Sequence, residues 1–448
     1  MPLLVNSAKA APEAVATPLE NGVLELVPRG CGLQQPKLIK TIPSFNIKSS
    51  FIAFASPDST YAVHKRLLDD AKKEIRIGIY DLTAVYMKEL LLNAMQRKVK
   101  VTLMLDIDSK DEQAIFDDLA KFGANAVEAP SCASKIKAAR FFSSCHEKFI
   151  IIDGTWCIVQ SGNYSNNSIP LNEKDGGDPK KFVKGNRDMG VAIRSAALSS
   201  FFTKVLKSDI KLELDAEGVE SLTGERAALP DLIEAVPKKI PIKLFPSKTF
   251  NPTRAIKVTP VLTPDNYMTM IPAFLESARK SILIENQYIR SSQSEIAKLL
   301  AAIKKAKTKN PKLDVRIILG KLFSQKDVPK EEANIANIKA TFGLTLSKNI
   351  RYIDTTRFVH CHNKLIIVDG QSVLVSSQNW SNSAVSANRE AGVIMEYPDI
   401  AKYYAQIFES DWSTALKTIP QPGMGKVAPE AVGKGNFVRV VAADYQEV

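Results

Sequence analysis

The chain has 448 residues, 45% of them hydrophobic, and 60 Lys and Arg against 48 Asp and Glu give it a formal charge of +12. This length and apolar content exclude a disordered or fibrous chain and suit two or three globular domains. The positive balance points to an anionic partner, nucleic acid or an anionic membrane surface, although lysine-rich faces are often only solubilising. Five cysteines, at 31, 132, 145, 157 and 361, are odd in number and lack paired spacing. They read as a chain of a reducing compartment without a disulfide framework.

In chain order, residues 1–47 hold Pro, Gly and Ala with little periodicity and read as a loosely structured arm. The arm lacks the continuous apolar core of a signal peptide, and no uncharged apolar run of 18 residues occurs anywhere. The expectation is a soluble, cytoplasmic protein without a transmembrane segment, with non-classical export left open. A first half, 48–214, opens with SPDSTYAVHKRLLDDAKKE, where Ser56 or Asp58 is placed to cap a helix carrying Leu67, Leu68 and Ala71 on one face. His64 on this charged helix reads as a surface residue. The alternating strand IRIGIYD (75–81), a helix through MKELLLNAMQRK and the strand VKVTLMLD (99–106) follow. Then come CHEKFIIIDGTWCIVQSGNYS (145–165), a polar loop (168–184) and GNRDMGV (185–191).

A linker, 215–255, leads to a second half, 256–416, and a tail, 417–448. The second half repeats the order of the first. TPDNYMTMIPAFLESARKS starts at 263, 207 residues after Ser56, and ILIENQYI starts at 282, again 207 after Ile75. Its next helix is read with a capping box, Ser292 to Glu295, and with Ile296, Leu299, Leu300 and Ile303 on one face. Lys304, Lys305, Lys307, Lys309 and Lys312 at its exit read as a solvated face. After LDVRIILG comes CHNKLIIVDGQSVLVSSQNWS (361–381), now offset by 216, and then ANREAGV (387–393). The chain is an internal duplication, and its strand–helix alternation predicts an α/β fold with mixed sheets flanked by helices.

The two copied stretches carry the chemistry. An apolar, largely β-branched run, Asp-Gly and a second such run predict a β-hairpin with a two-residue turn. With Asp153-Gly154 and Asp369-Gly370 as turn pairs, cross-strand partners sum to 307 and 739, so that His146 faces Ser161 and His362 faces Ser377. Side chains two apart share a face, which adds Lys148 and Asn163 to the first cluster and Lys364 and Asn379 to the second. Lysine, serine and carboxamide can donate to phosphoryl oxygens, while histidine can attack phosphorus or move a proton near neutral pH. Identical spacings in both copies, 15 residues from His to Ser and 17 from His to Asn, argue against two chance surface histidines.

These motifs resemble the signature of the phospholipase D superfamily, HxKxxxxD followed by a Gly/Ser-rich turn and Asn. The match runs through His146, Lys148, Asp153, Ser161 and Asn163, then His362, Lys364, Asp369, Ser377 and Asn379. Asn186 with Asp188, and Asn388 with Glu390, match the further Asn and acidic positions. SGN and SSQN stand where GSxN is commoner. The resemblance implies two α/β halves about a pseudo-twofold axis with one active site at their interface. It implies that one histidine attacks phosphorus to give a phosphohistidine and the other acts as acid and base. The first-half histidine, His146, is more often the nucleophile in that family, and the sequence alone does not break the symmetry. Lys148, Lys364, Asn163 and Asn379 would stabilise the phosphoryl oxygens with Ser161 and Ser377 as helpers, and Asp188 and Glu390 would each fix a histidine tautomer. Asp153 and Asp369, at the turns, read as structural. No metal or other cofactor is implied.

Further residues have plainer readings. Cys145 and Cys361 should point away from the adjacent histidines into packing. His360 with His362 lacks a further histidine to complete a metal site. Tyr164 and Trp380 either line the cleft or pack. The function expected is a phospholipase D-type phosphodiesterase acting on the phosphatidyl group as hydrolase or transferase. The alternative is a metal-independent nuclease, and an inactive scaffold is disfavoured by two intact motif sets. A monomer is expected, with an anionic membrane surface as a further partner.

Overall fold

The structure, a computed structural model, describes residues 33–34, 38–39, 41–133, 140–215 and 237–422. Most of the expected arm, part of the linker and nearly all of the tail therefore lie outside the described residues. The first half contains β1 (Phe45–Ile47), β2 (Phe51–Ser56), α1 (Thr60–Asp69), β3 (Glu74–Ile79), α2 (Val85–Gln96), β4 (Lys100–Leu105), α3 (Lys110–Lys121) and β5 (Asn125–Glu128). It continues with β6 (Lys148–Ile152), β7 (Trp156–Gln160), β8 (Asp188–Arg194) and α4 (Ala196–Asp215). After β9 (Lys248–Phe250) the series repeats as β10 (Ile256–Thr263), α5 (Tyr267–Glu276), β11 (Ser281–Asn286), α6 (Ser294–Lys309), β12 (Asp314–Leu319) and α7 (Val328–Asn337). The chain then forms β13 (Ile350–Tyr352), β14 (Lys364–Val368), β15 (Ser372–Ser376), α8 (Asn382–Ser386), β16 (Glu390–Met395) and α9 (Pro398–Thr414).

Two eight-stranded mixed sheets result, ordered β5-β4-β3-β6-β7-β8-β2-β9 and β13-β12-β11-β14-β15-β16-β10-β1. In each, three strands joined by helical crossovers are parallel and the rest antiparallel. The sequence expectation of duplicated α/β halves holds. The outer strands exchange: β1 joins the second-half sheet through β10, and β9 joins the first-half sheet through β2. Each sheet is apolar on both faces because alternate residues go to different cores. Along β2, Phe51, Ala53 and Ala55 enter a core shared by the two halves, with α4 and α9, whereas Ile52 and Phe54 face the core under α1 to α3. The second sheet's outer face packs on α5 and α6.

The motif hairpins form with one correction. Asp153 and Gly154 have φ of 52° and 62°, and Asp369 and Gly370 have 57° and 61°, so the predicted pairs do make the turns. Yet Phe149 pairs with Val159 and Ile152 with Trp156, and likewise Leu365 with Val375 and Val368 with Ser372. The sums are thus 308 and 740, one more than expected. An extra residue, Thr155 or Gln371, enters the second strand's start in the manner of a bulge and shifts the register by one. The direct opposition of His146 with Ser161 and His362 with Ser377 is lost, and the strands begin at the lysines. Asp153 accepts the backbone amides of Lys72, Lys73 and Glu74 at 2.9, 2.7 and 3.0 Å, and Asp369 accepts those of Arg279, Lys280 and Ser281. Each thereby ties its turn to the start of β3 or β11.

Other local readings also change. α1 starts after Ser59, and Asp58 is occupied elsewhere. α6 has Gln293 at its cap with no side-chain capping bond, so the box from Ser292 does not form. His64 is fully buried, its ring 5.4 Å from those of Phe54 and Tyr164, because it shares the helical stripe of Leu67 and Leu68. Burial lowers its pKa to about 4. Tyr164 and Trp380 are fully buried packing residues, the latter donating from Nε1 to the Tyr267 hydroxyl at 3.1 Å. Cys132 is disulfide-bonded, contrary to the expectation of no disulfide, while Cys145, Cys157 and Cys361 are free and buried. An odd total conceals a pair when the remaining thiols are simply core residues.

Candidate active site

Lys148 and Lys364 open β6 and β14, and His146 and His362 stand two residues before them. Each ammonium donates to its histidine's carbonyl, Lys148 at 2.6 Å and Lys364 at 2.5 Å. All four residues are buried. Each histidine is then held by the opposite half. The His146 amide donates to the Arg389 carbonyl at 2.8 Å, and its Nδ1 lies 2.9 Å from both carboxylate oxygens of Glu390. The His362 amide donates to the Arg187 carbonyl at 3.1 Å, and its Nδ1 lies 3.0 Å from Asp188 Oδ1. These contacts between adjacent residues bring the two motifs to one interface. With a carboxylate as partner, Nδ1 carries the proton in the neutral ring.

The carboxylates are themselves held. Ser161 Oγ donates to Asp188 at 2.7 Å and accepts the Met189 amide; Ser377 Oγ donates to Glu390 at 2.5 Å and accepts the Ala391 amide. The serines expected to face a phosphate thus engage the carboxylates that orient the other half's histidine. Asn388 Nδ2 also reaches Glu390 at 3.1 Å, while Asn186 reaches the Ser168 hydroxyl. Burial alone would raise the Asp188 carboxyl, but His362, Lys364 and the Ser161 hydroxyl bring it below the usual range. Asn163 and Asn379 are 3% exposed, and Oδ1 of each has no hydrogen-bond partner among the described residues. A cleft ligand can satisfy such polar groups.

Several residues around the site escaped sequence reasoning. The Tyr80 ring lies 5.0 Å from that of His146, carries the Lys148 ammonium 5.3 Å from its centroid and donates its hydroxyl to Asp108. Gln287 takes the corresponding place in the second half, so the two lysines have different surroundings. Arg187 and Arg389 are buried behind the histidines. Arg187 donates to Asp411 of α9 at 2.7 and 3.2 Å and to Asp58 at 3.4 Å; Arg389 pairs with Asp209 of α4 and with Asp265. Each arginine therefore grips the last helix of the opposite half and one carboxylate of its own. The signal was available, because Asp58 and Asp265 are separated by the same 207 residues as the first helices.

Beside each arginine lies one more buried carboxyl. Glu285 is raised to about 8 by burial and by the charge of Asp411, against the pull of Arg187. Glu147, between His146 and Lys148, is raised well above the usual range, chiefly by burial, and neither oxygen has a hydrogen-bond partner among the described residues. Burial likewise pushes up the thiols of Cys145 and Cys361, which pack in the shared core. Among the described residues no cluster of three His, Cys, Asp or Glu is arranged to hold a metal ion.

Comparison with known proteins gives a consistent picture. The family model described as "Cardiolipin synthase, PLD-like domain" matches residues 65–210 and 271–412, one match for each half. The mitochondrial cardiolipin hydrolase of Danio rerio is 35% identical over 57 residues, which is 13% of this chain and 25% of that protein. Its counterpart from Chlamydomonas reinhardtii is 36% identical over 53 residues, 12% and 24% of the two chains. The chain thus spans about a quarter of the length of the curated relatives it matches. Among solved structures, phosphatidylserine synthase of Haemophilus influenzae Rd KW20 superimposes with a TM-score of 0.54 at 13% identity, over 85% of this chain and 90% of that one.

Proposed function

The chain belongs to the phospholipase D superfamily, and from that premise we propose that it is a phosphodiesterase hydrolysing or transferring the phosphatidyl group of phospholipids. The observation that carries this reading is the crossed arrangement of two histidines, each held at Nδ1 by a carboxylate of the opposite half. An imidazole so held presents Nε2 for chemistry, and two of them give in-line displacement a group on either side of phosphorus.

In the first step His146 Nε2 attacks phosphorus. The P–O bond to the head group breaks as protonated His362 passes its proton to the departing oxygen. In the second, neutral His362 takes a proton from water or an alcohol while that oxygen attacks phosphorus, and the P–N bond to His146 breaks. Lys148, Lys364, Asn163 and Asn379 supply positive charge and hydrogen bonds to the equatorial oxygens. Two buried ammonium groups provide the neutralisation for which a metal ion would otherwise serve. The assignment of attack to His146 follows the family pattern. The bidentate approach of Glu390 supports it, since it increases electron density on that ring.

The formal charge of +12 favours a second reading, a nuclease using the same chemistry on DNA or RNA. The family model's description and the relatives' names support the lipid reading. A paired assay separates them. Head-group release from phospholipid vesicles, without cleavage of single-stranded DNA, is the expected result. Cleavage of DNA with salt-sensitive binding and no head-group release would replace the lipid reading with the nuclease.

A further inference from the structure

The first half carries a longer loop before its Asn-Arg-Asp than the second, which closes the same passage with the short helix α8. Residues 237–248, Pro-Lys-Lys-Ile-Pro-Ile-Lys-Leu-Phe-Pro-Ser-Lys, lie against that loop. Gly177 packs against Leu244 and Gly176 against Pro246, Lys184 donates to the Pro237 carbonyl, and Asp175 accepts from the Ser247 amide and hydroxyl. The segment is also fastened to the stretch that leads into His362 and to Asp58. The Lys239 amide donates to the Thr356 carbonyl at 2.7 Å and Arg357 donates to the Ile240 carbonyl at 2.7 Å, a few residues before His362. The Phe245 amide donates to Asp58, the carboxylate shared with Arg187.

Despite this anchoring, the segment turns apolar side chains outward. Ile240 is 38% and Ile242 60% exposed, and the neighbouring loop adds Leu171 at 41% and Val183 at 43%. Leu171 and Val183 are drawn together by Asn172, which donates to the Val183 carbonyl and accepts its amide. Lysine is abundant in the same two stretches: 168–184 and 237–248 together hold eight lysines and three acids, and 237–248 holds no acid at all. Of the three acids, Asp175 is engaged by Ser247 and Asp178 accepts the Lys180 amide.

Exposed apolar side chains gathered on two segments bonded to each other mark an interaction surface, and their excess of lysine selects an anionic partner. Nucleic acid satisfies the charge but gives aliphatic isoleucines nothing to enter, whereas a bilayer accepts both: lysines meet acidic head groups while the apolar tips enter the interface. We infer that residues 237–243, with Leu171 and Val183, form a docking surface for an anionic lipid bilayer, seating the catalytic cleft beside its substrate. This deepens, and rests on, the lipid reading above.

The test is co-sedimentation of the full chain with vesicles of phosphatidylglycerol and phosphatidylcholine, against phosphatidylcholine alone. The wild type should favour the anionic vesicles. Lys238→Gln, Lys239→Gln and Lys243→Gln combined should weaken binding roughly a hundred-fold, at about five-fold for each lysine. Ile240→Ser with Ile242→Ser should weaken it by about ten-fold or more at an unchanged melting temperature. Ile242→Trp should gain a blue-shifted emission on vesicle addition. Unaltered vesicle binding in both sets of variants, or no emission shift, overturns the proposal. So does an Ile242→Trp emission already shifted without lipid in a chain that sediments as a dimer, which would mean that a second copy covers the face. Loss of single-stranded DNA binding in the lysine variants with vesicle binding intact would assign the surface to nucleic acid instead. Binding is read independently of turnover, so vesicle docking without head-group release would contradict the proposed function and leave the surface standing.

Discussion

His146 depends on Glu390 and His362 on Asp188, so each half supplies the group that orients the other's imidazole. Replacing either carboxylate by its amide keeps the shape and removes the charge that fixes the tautomer. We expect Asp188→Asn and Glu390→Gln each to lower kcat by about 10² to 10⁴-fold with little change in KM. Imidazole NMR resonances should show the crossing: Asp188→Asn moves the signals of His362 and Glu390→Gln those of His146. Shifts confined to the histidine of the same half would refute the crossed assignment. The family resemblance implies that these carboxylates are histidine partners but not which histidine each serves, because that depends on a contact spanning 174 or 244 residues. The role of the serines was hidden for a related reason: a single bulge residue decides what their hydroxyls face.

At the scale of elements, the buried arginines tie each half's last helix to the strand that carries the carboxylate. Arg187→Met leaves Asp411 and Asp58 buried without their cation and should cost about 3–5 kcal/mol of stability, read by urea unfolding. Combining it with Asp411→Leu should recover part of that loss, and strictly additive losses would contradict a direct pair. Glu285, packed against Arg187, Asp411, Asn363 and Cys361, makes stability depend on pH. Its folded pKa, raised from 4.5 to about 8, means that the native state holds the proton more tightly than the unfolded chain. Its contribution is complete below about pH 4.5 and is lost as pH rises through about 8. His64 acts in the opposite sense, since its pKa is lowered from 6.5 to about 4 and stability is lost as pH falls through that interval. Above pH 6.5 the carboxyl acts alone of these two. Stability should fall between pH 6.5 and 8 through Glu285, and Glu285→Gln should remove that part of the slope. Glu147, also raised, adds to the slope in the same direction. An undiminished slope in Glu285→Gln would contradict the assignment. The strands, hairpins and most helices were legible from periodicity and turn chemistry. Buried charge was not, because an arginine or glutamate destined for the interface of two sheets looks like any surface residue until its partners arrive from the other half.

Across the whole molecule, duplication makes the order of the two sheets legible, whereas the exchange of β1 and β9 is too short a signal to read. Both motifs of one chain meet at one interface, so mixing His146→Asn with His362→Asn chains should restore no activity beyond that of each variant alone. Restored turnover would mean that clefts form between chains. The central claim is that the histidines have unequal roles in a covalent reaction. The measurement that reaches it most directly is mass-spectrometric mapping of phosphohistidine in His362→Asn, given a substrate whose leaving group departs without protonation. That variant should accumulate acid-labile, base-stable label on His146, and His146→Asn should accumulate none. Label on His362 in His146→Asn would reverse the roles, and absence of label from both variants, with the wild type turning over, would contradict covalent catalysis.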